Sequence, residues 1–279
     1  MTMINFHKIN AKNNPIFKDL KIAFKNGYNK QISDYFCVGG IKNNLIALNN
    51  NWLPHTIFVS QSFDQKLISN IKSKLKQHKV RWIMISDQLN DQLKAINTQA
   101  GDCYFYYLLK ALNHQTFDLS DQHNYLFLDH IQDPSNLGTI LRNAAAFDLT
   151  KVLIHDSVNL YNPKLIRASA GAIFSNQISL IKNLDQFLNA IKKKGLRLVA
   201  TANHEDATPL DQFDHQLGNI IIFGNEANGV SEQLLNQADQ TIKIVINNQY
   251  AESLNVATSS GIILYELNKL WKKRSLSNQ

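Results

Sequence analysis

Cysteine is scarce: Cys37 and Cys103 are the only two in 279 residues, far apart and in no Cys-x-x-Cys or paired Cys/His spacing. This excludes a disulfide framework, gives no indication of a zinc or other metal site, and fits a reducing cytoplasm. No Gly-x-Gly-x-x-Gly or Gly-x-x-x-x-Gly-Lys-Ser/Thr run occurs, which argues against NAD and ATP sites and so against a dinucleotide-dependent oxidoreductase. Long apolar runs are also missing. The stretch Met1 to Lys12 is polar and lacks a signal-peptide core, and no later run approaches membrane-spanning length. The expectation is a soluble, unexported chain with no membrane partner. No internal repeat or low-complexity tract appears.

What is present is a core-forming composition, 44% hydrophobic, enough for one or two globular domains. A formal net charge of +7 and a pI near 9.2 favour phosphate-bearing partners. Charge alone does not decide this, because lysines spread over helices serve equally as solvated faces. The abundance of Asn, Lys, Ile and Gln reads as codon composition, which weakens arguments from those counts.

In the first hundred or so residues, short strands at His55 to Ser60 and Arg81 to Ser86 flank a helix from Asp64 to His78, and Cys103 to Leu109 is a further apolar, aromatic run. This is a small α/β module, placed at 1–112. Asn113 to His123 is polar and aperiodic and is placed as a linker. From 124 to 279, the apolar runs Tyr125 to Asp129, Lys151 to His155, Leu196 to Ala202, Asn219 to Gly224 and Thr241 to Ile246 mostly precede helical patterns, the mark of an α/β domain with a mostly parallel sheet. A last helix runs from about Val256 to Lys273; the basic cluster at its end suits the macrodipole and needs no nucleic acid to explain it. Ligands of open α/β sheets bind beyond the C-terminal strand ends, so the loops there hold the candidate chemistry.

Three of those loops are unusual. The first runs from His130 to Asn143, with Pro134, Ser135 and Asn136 as turn and helix start, Ser or Asn capping the amides, and Arg142 about two turns on. Alone it reads as a capped helix with a solvated arginine. The second, Phe223 to Ser231, sets Gly224 and Gly229 around Glu226, allowing close backbone approach to a ligand; a plain turn with Ser231 as N-cap explains it equally well. In the third, Val245 to Gly261, the polar residues Glu252, Ser253 and Asn255 surround Leu254 before a helix of small residues, which by itself reads as a closely packed, capped helix.

Taken together and in order, the loops resemble the SpoU (TrmH) family of RNA ribose 2′-O-methyltransferases within the SPOUT class. Asn136, Gly138 and Arg142 match its Asn-x-Gly-x-x-x-Arg motif, Gly224, Glu226 and Gly229 its Gly-x-Glu-x-x-Gly motif, and Ser253, Leu254, Asn255 and Val256 its Ser-Leu-Asn-Val motif. Asn162-Pro163-Lys164 with Arg167 to Ala172 is similar to a family segment between the first two, and the N-terminal module looks like the family's auxiliary RNA-binding domain. The chain departs from the pattern at Val245-Ile246-Asn247, where Ile-Pro-Met or similar is usual, and at Gln249, where a glycine is usual.

The resemblance implies an α/β fold whose C-terminal SPOUT domain has a parallel sheet and a deep trefoil knot, a homodimer, S-adenosyl-L-methionine as cofactor and RNA, ribosomal by the presence of an auxiliary domain, as substrate. It assigns Arg142 to the ribose and an adjacent phosphate, Asn136 and Glu226 to orienting that arginine or the substrate, and Ser253 and Asn255 to shaping the pocket. The implied cofactor contacts are Thr201, Ala202, Gly224, Val245, Ile246, Leu254 and Asn255. The competing reading is a noncatalytic RNA-binding or ribosome-assembly protein that keeps this fold. The Val245 to Gln249 departure supports it; the joint presence of Asn136, Arg142, Glu226 and Asn255 opposes it.

Overall fold

Asn14 and Pro15 show how this sequence starts a helix. The Asn14 side chain accepts from the Ile16 amide at 2.9 Å, and Pro15 removes an amide that the first turn could not satisfy. Helix α1 (Pro15–Asn26) then buries Phe17, Leu20, Ala23 and Phe24 along one stripe. The computed structural model describes residues 4–28, 34–96, 101–109, 118–214, 217–247 and 249–277. Two compact units result, Met1–Leu112 with Leu160–Ser175, and Asn113–Asn159 with Asn176–Gln279.

In the first unit, β1 (His7–Ile9), β2 (Tyr35–Gly39), β3 (Thr56–Ser60), β4 (Arg81–Ile85) and β5 (Cys103–Leu108) form a five-stranded sheet in the order β1-β4-β3-β5-β2. β5 runs antiparallel to both its neighbours, and the other pairings are parallel. The further helices are α2 (Ile41–Asn49), α3 (Gln65–Leu75) and α4 (Asp87–Ile96). Leu20, Phe24, Phe58, Ile83 and Tyr104 meet in one core. The expected strands at 55–60, 81–86 and 103–109 form within a residue of their bounds, and Asp64 caps α3 by accepting from the Lys66 amide at 2.7 Å.

The expected linear division at 112 and 124 is corrected by one excursion. Leu160–Ser175, carrying α6 (Pro163–Ala168) and a 3-10 turn at Ala172–Phe174, belongs to the first unit. Its apolar residues are what hold it there. The Trp52 indole N–H donates to the Phe174 carbonyl at 3.0 Å, the rings of Trp52 and Tyr107 pack on Phe174, and Phe36 packs on Tyr161. Residues 113–117 of the expected linker lie outside the described residues.

The second unit is built on a seven-stranded, wholly parallel sheet: β6 (Tyr125–Asp129), β7 (Lys151–His155), β8 (Gln177–Ile181), β9 (Arg197–Thr201), β10 (Thr208–Pro209), β11 (Asn219–Phe223) and β12 (Gln240–Lys243), in the order β10-β12-β9-β11-β6-β7-β8. Every residue of β6 and β11 is buried, as central parallel strands covered on both faces require. The helices are α5 (Pro134–Ala146), α7 (Leu184–Lys193), α8 (Glu232–Leu235) and α9 (Val256–Ser277). Two expectations need adjusting. The last strand stops at Lys243 rather than Ile246, and α9 continues past Lys273. From β6 the chain first builds outward through β7 and β8, then returns to place β11 on the other side of β6. The crevice of such a sheet lies at that reversal, beyond the ends of β6 and β11.

Candidate active site

The loops after β6 and β11, the first and second motifs, therefore emerge side by side. The first enters α5 with Asp133 as its cap, accepting from the Ser135 amide at 2.5 Å and the Asn136 amide at 3.4 Å. The cap is thus Asp133, not Ser135 or Asn136, which leaves the Asn136 side chain free for other partners. In the second loop the Asn225 backbone exchanges hydrogen bonds with Gly229 at 2.8 and 2.9 Å, and the Asn225 side chain accepts from the amides of Ala227 and Asn228 while donating to the His130 carbonyl. This tight loop explains its glycines. A Cβ on Gly224 would lie 2.1 Å from Gly229 C and from Val230 N, and Gly229 sits at φ 72°. Ser231 makes no side-chain cap to α8, contrary to expectation; its amide donates instead to the buried Asp129 carboxylate at 3.1 Å.

One chain of hydrogen bonds joins all three motifs. Glu226 accepts from the Gln132 amide at 3.2 Å, the Asp133 amide at 3.0 Å and the Asn136 side chain at 3.0 Å. Asn136 in turn accepts from the Asn255 side chain at 3.0 Å, and Asn255 caps α9 by accepting from the Ala257 and Thr258 amides. Burial alone would raise the Glu226 carboxyl, but the Asn136 side chain and the loop amides outweigh it and hold it below the usual carboxylate range. Farther along α5, Asn143 donates to the Ala257 carbonyl at 3.0 Å and Ser260 Oγ at 2.9 Å, locking α5 against the small-residue start of α9.

Beside this network lies a cavity of about 350 Å³, lined by Thr201 and Ala202 at the end of β9, Gly224 and Glu226 from the second loop, Ile242 of β12, Ile244 and Ile246 after it, and Ser253 and Leu254 before α9. That volume lies in the range of about 300–1,000 Å³ typical of small-molecule sites. The one lysine in its wall, Lys243, has its ammonium engaged by the carbonyls of His204 and Glu205 at 2.9 and 2.7 Å. Apolar side chains such as Ile242, Ile246 and Leu254 share the rest of the wall with uncharged polar ones such as Asn203 and Ser253. Val245, expected as a contact, is not part of it: successive residues of the extended chain point to opposite sides, and Val245 is 70% exposed between Ile244 and Ile246. Asn255 serves the hydrogen-bond chain rather than the wall.

Arg142 is exposed on α5, with no side-chain hydrogen bond or ion pair among the described residues, and neither Asn136 nor Glu226, which bond to each other, orients it. Sequence reasoning also missed Asn225, Asn203 and the amides of Gln132 and Asp133. Asn203 donates to the Glu252 carbonyl at 2.9 Å and so ties the β9 end to the third motif. The signal available for Asn225 was an Asx residue at the turn of a two-glycine loop.

A model of the SpoU rRNA Methylase family matches residues 123–265. An uncharacterized tRNA/rRNA methyltransferase of Mycoplasma pneumoniae is 30% identical over 249 residues, 85% of this chain and 98% of that protein. The 23S rRNA (guanosine(2553)-2′-O)-methyltransferase of Bacillus subtilis is 33% identical over 150 residues, 53% of this chain and 59% of its own length. An uncharacterized tRNA/rRNA methyltransferase of Synechocystis is 39% identical over 142 residues, and the match spans about half of it, 51%. The fold is similar to that of an AdoMet-bound rRNA methyltransferase from Sinorhizobium meliloti, with a TM-score of 0.81 at 21% identity over 95% of this chain and 98% of that one. The family match over 123–265 includes all three motif loops and the crevice they surround, and the Mycoplasma relative extends the likeness to most of the chain: this protein belongs to the SpoU rRNA methylase family.

Proposed function

We propose that this chain transfers a methyl group from S-adenosylmethionine to a ribose 2′-hydroxyl of ribosomal RNA. The observation that carries the reading is the Glu226–Asn136–Asn255 chain of hydrogen bonds, which ties together three loops distant in sequence, the second and third of which line one cavity. The wall fits the cofactor's chemistry: Ile242, Ile246 and Leu254 suit a flat apolar ring, and Gly224, without a Cβ, lets the backbone come close. When bound, S-adenosylmethionine supplies a methyl group already activated by its sulfonium.

Thr201, Ala202, Gly224, Ile246 and Leu254 hold the cofactor in this reading, and Ser253 borders the ribose. Glu226 and Asn136 keep the loops in register rather than steering Arg142. Arg142, with its guanidinium unengaged, meets the ribose and an adjacent phosphate when RNA arrives. A guanidinium scarcely ever gives up its proton, so Arg142 positions and stabilises while the hydroxyl aligns with the methyl carbon. The same reading includes the trefoil knot, a cytoplasmic location and a homodimer; Tyr250 and Tyr265, large and exposed in the second unit, are surface that a second copy would cover. Among the described residues no helix is long and apolar enough to cross a membrane.

The test is mass-spectrometric mapping of ribose methylation in ribosomal and transfer RNA from cells with and without the protein, beside calorimetry with the cofactor. Loss of one ribosomal 2′-O-methyl group with the protein is expected. Absence of any cofactor heat at millimolar concentration, with the protein folded, would instead support a noncatalytic RNA-binding role.

A further inference from the structure

Three side chains at the ends of β6 and β7 converge on one point outside the cavity. Asp129 is fully buried, and its Oδ1 faces Nδ1 of His130 at 2.6 Å and Nδ1 of His155 at 3.0 Å, while its Oδ2 accepts from the Ser231 amide at 3.1 Å. On the far side of the His130 ring, Nε2 lies 3.2 Å from Asp156 Oδ2. Both nitrogens of His130 thus face carboxylates. A neutral imidazole has one N–H, so one of these contacts calls for an additional positive centre, either a second proton or a metal ion.

The backbone is bent to make this arrangement. His130 adopts φ 56°, a left-handed conformation uncommon for a residue with a side chain. It is held there by its amide donating to the His155 carbonyl at 3.0 Å and its carbonyl accepting from Asn225 at 2.9 Å.

We propose that Asp129, His130 and His155 form a binding site for a divalent cation of the zinc class, the histidines ligating through Nδ1 and a solvent molecule completing the shell. One ligand atom from each residue lies within 4.8 Å of the others. Two imidazoles and a carboxylate are a donor set suited to zinc, with cobalt as its spectroscopic substitute. Asp156 accepting from Nε2–H of His130 is the carboxylate–histidine–metal arrangement that fixes a ligand's tautomer. With the two carboxylates of Asp129 and Asp156 and two neutral rings, a divalent ion makes the cluster neutral. Its role is to pin the start of the first motif loop, two residues before Gln132, whose amide holds Glu226. The ligands come from adjacent strand ends, 26 residues apart at His155 and Asp129, which is why no metal spacing shows in the sequence.

The experiment uses the full chain, stripped with a chelator and reloaded. Expected are one zinc per chain by native mass spectrometry, a visible ligand-field band with cobalt, and an unfolding temperature raised by zinc but not by magnesium. His130→Ala and His155→Ala should abolish all three. Asp156→Asn, at a side chain 77% exposed and so safe for folding, should weaken zinc about 10- to 100-fold. No cobalt band and no zinc-induced shift in the wild type would overturn the proposal, as would undiminished binding in both histidine variants. Should those variants fail to fold, unchanged zinc affinity in Asp156→Asn would overturn it. Methyl transfer does not enter these readouts, so their failure leaves the enzymatic reading untouched.

Discussion

The Asn136 side-chain amide donates to Glu226 at 3.0 Å while its oxygen accepts from Asn255 at the same distance, so one side chain fastens the second motif to the third. A carboxylate is needed at Glu226 because four donors converge on it, the Gln132 and Asp133 amides and the side chains of Asn136 and Asn225. Its pKa is depressed in the folded state, so the stability it contributes is present above the ordinary carboxylate range and is lost as pH falls through the lower folded value. Glu226→Gln should unfold at a lower temperature than wild type at neutral pH, with the gap closing as the pH is taken below the ordinary carboxylate range. Glu226 is exposed, so the gap is modest and screened by solvent. Calorimetric melts across an acid series check it; a gap that persists unchanged at the acid end contradicts the assignment.

The two glycines of the second motif should respond differently. Gly224→Ala drives a methyl into the Gly229 and Val230 backbone and should cost about 2–3 kcal/mol along with cofactor binding. Gly229→Ala meets open space and suffers only its positive φ, about 1–2 kcal/mol. Urea titrations of both variants give the comparison, and equal losses would show that the loop is not as closely packed as described.

Among the described residues Arg142 has no side-chain partner to lose on folding. Arg142→Ala should leave the unfolding midpoint and cofactor affinity close to wild type while lowering single-turnover methyl transfer by about 10²-fold or more. Arg142→Lys keeps the charge without the planar fork and should remain badly impaired. Near wild-type turnover in the Ala variant would remove Arg142 from the reaction.

Trp52→Ala should be among the most damaging changes in the first unit. It removes a buried ring and leaves the Phe174 carbonyl without its indole donor, at a cost of about 3–5 kcal/mol. For the same reason a fragment of residues 123–279 should be poorly soluble, since Ile173 and Phe174 would lose the rest of their unit. A well-behaved monomeric fragment in gel filtration would argue against this packing.

Much of the second unit was legible because its central strands are contiguous apolar runs: β6 and β7 coincide with the expected Tyr125 to Asp129 and Lys151 to His155. β8 was not, because Ser179 and half-buried positions interrupt its run, and β10 is only Thr208–Pro209. The motif loops were legible as strings, but their union was not. Asn136 and Asn255 stand 119 positions apart, and only a family resemblance suggested that they meet. Leu160–Ser175 escaped because its apolar residues carry no mark of which core they will join. The engagement of Asn136 with Glu226, rather than either with Arg142, depends on side-chain geometry that spacing cannot express.

The excursion of Leu160–Ser175 has a consequence for how the protein is made. Trp52 and Phe174 are separated by 122 positions, so at the usual pace of translation about ten seconds pass between the emergence of one and of the other. During that interval the early sheet waits with part of its aromatic surface uncovered, while β6, α5 and β7 have already followed it out of the ribosome. Vectorial synthesis therefore cannot finish the first unit before beginning the second, and the nascent chain depends on whatever shields Trp52, Phe36 and Tyr107 until Phe174 arrives.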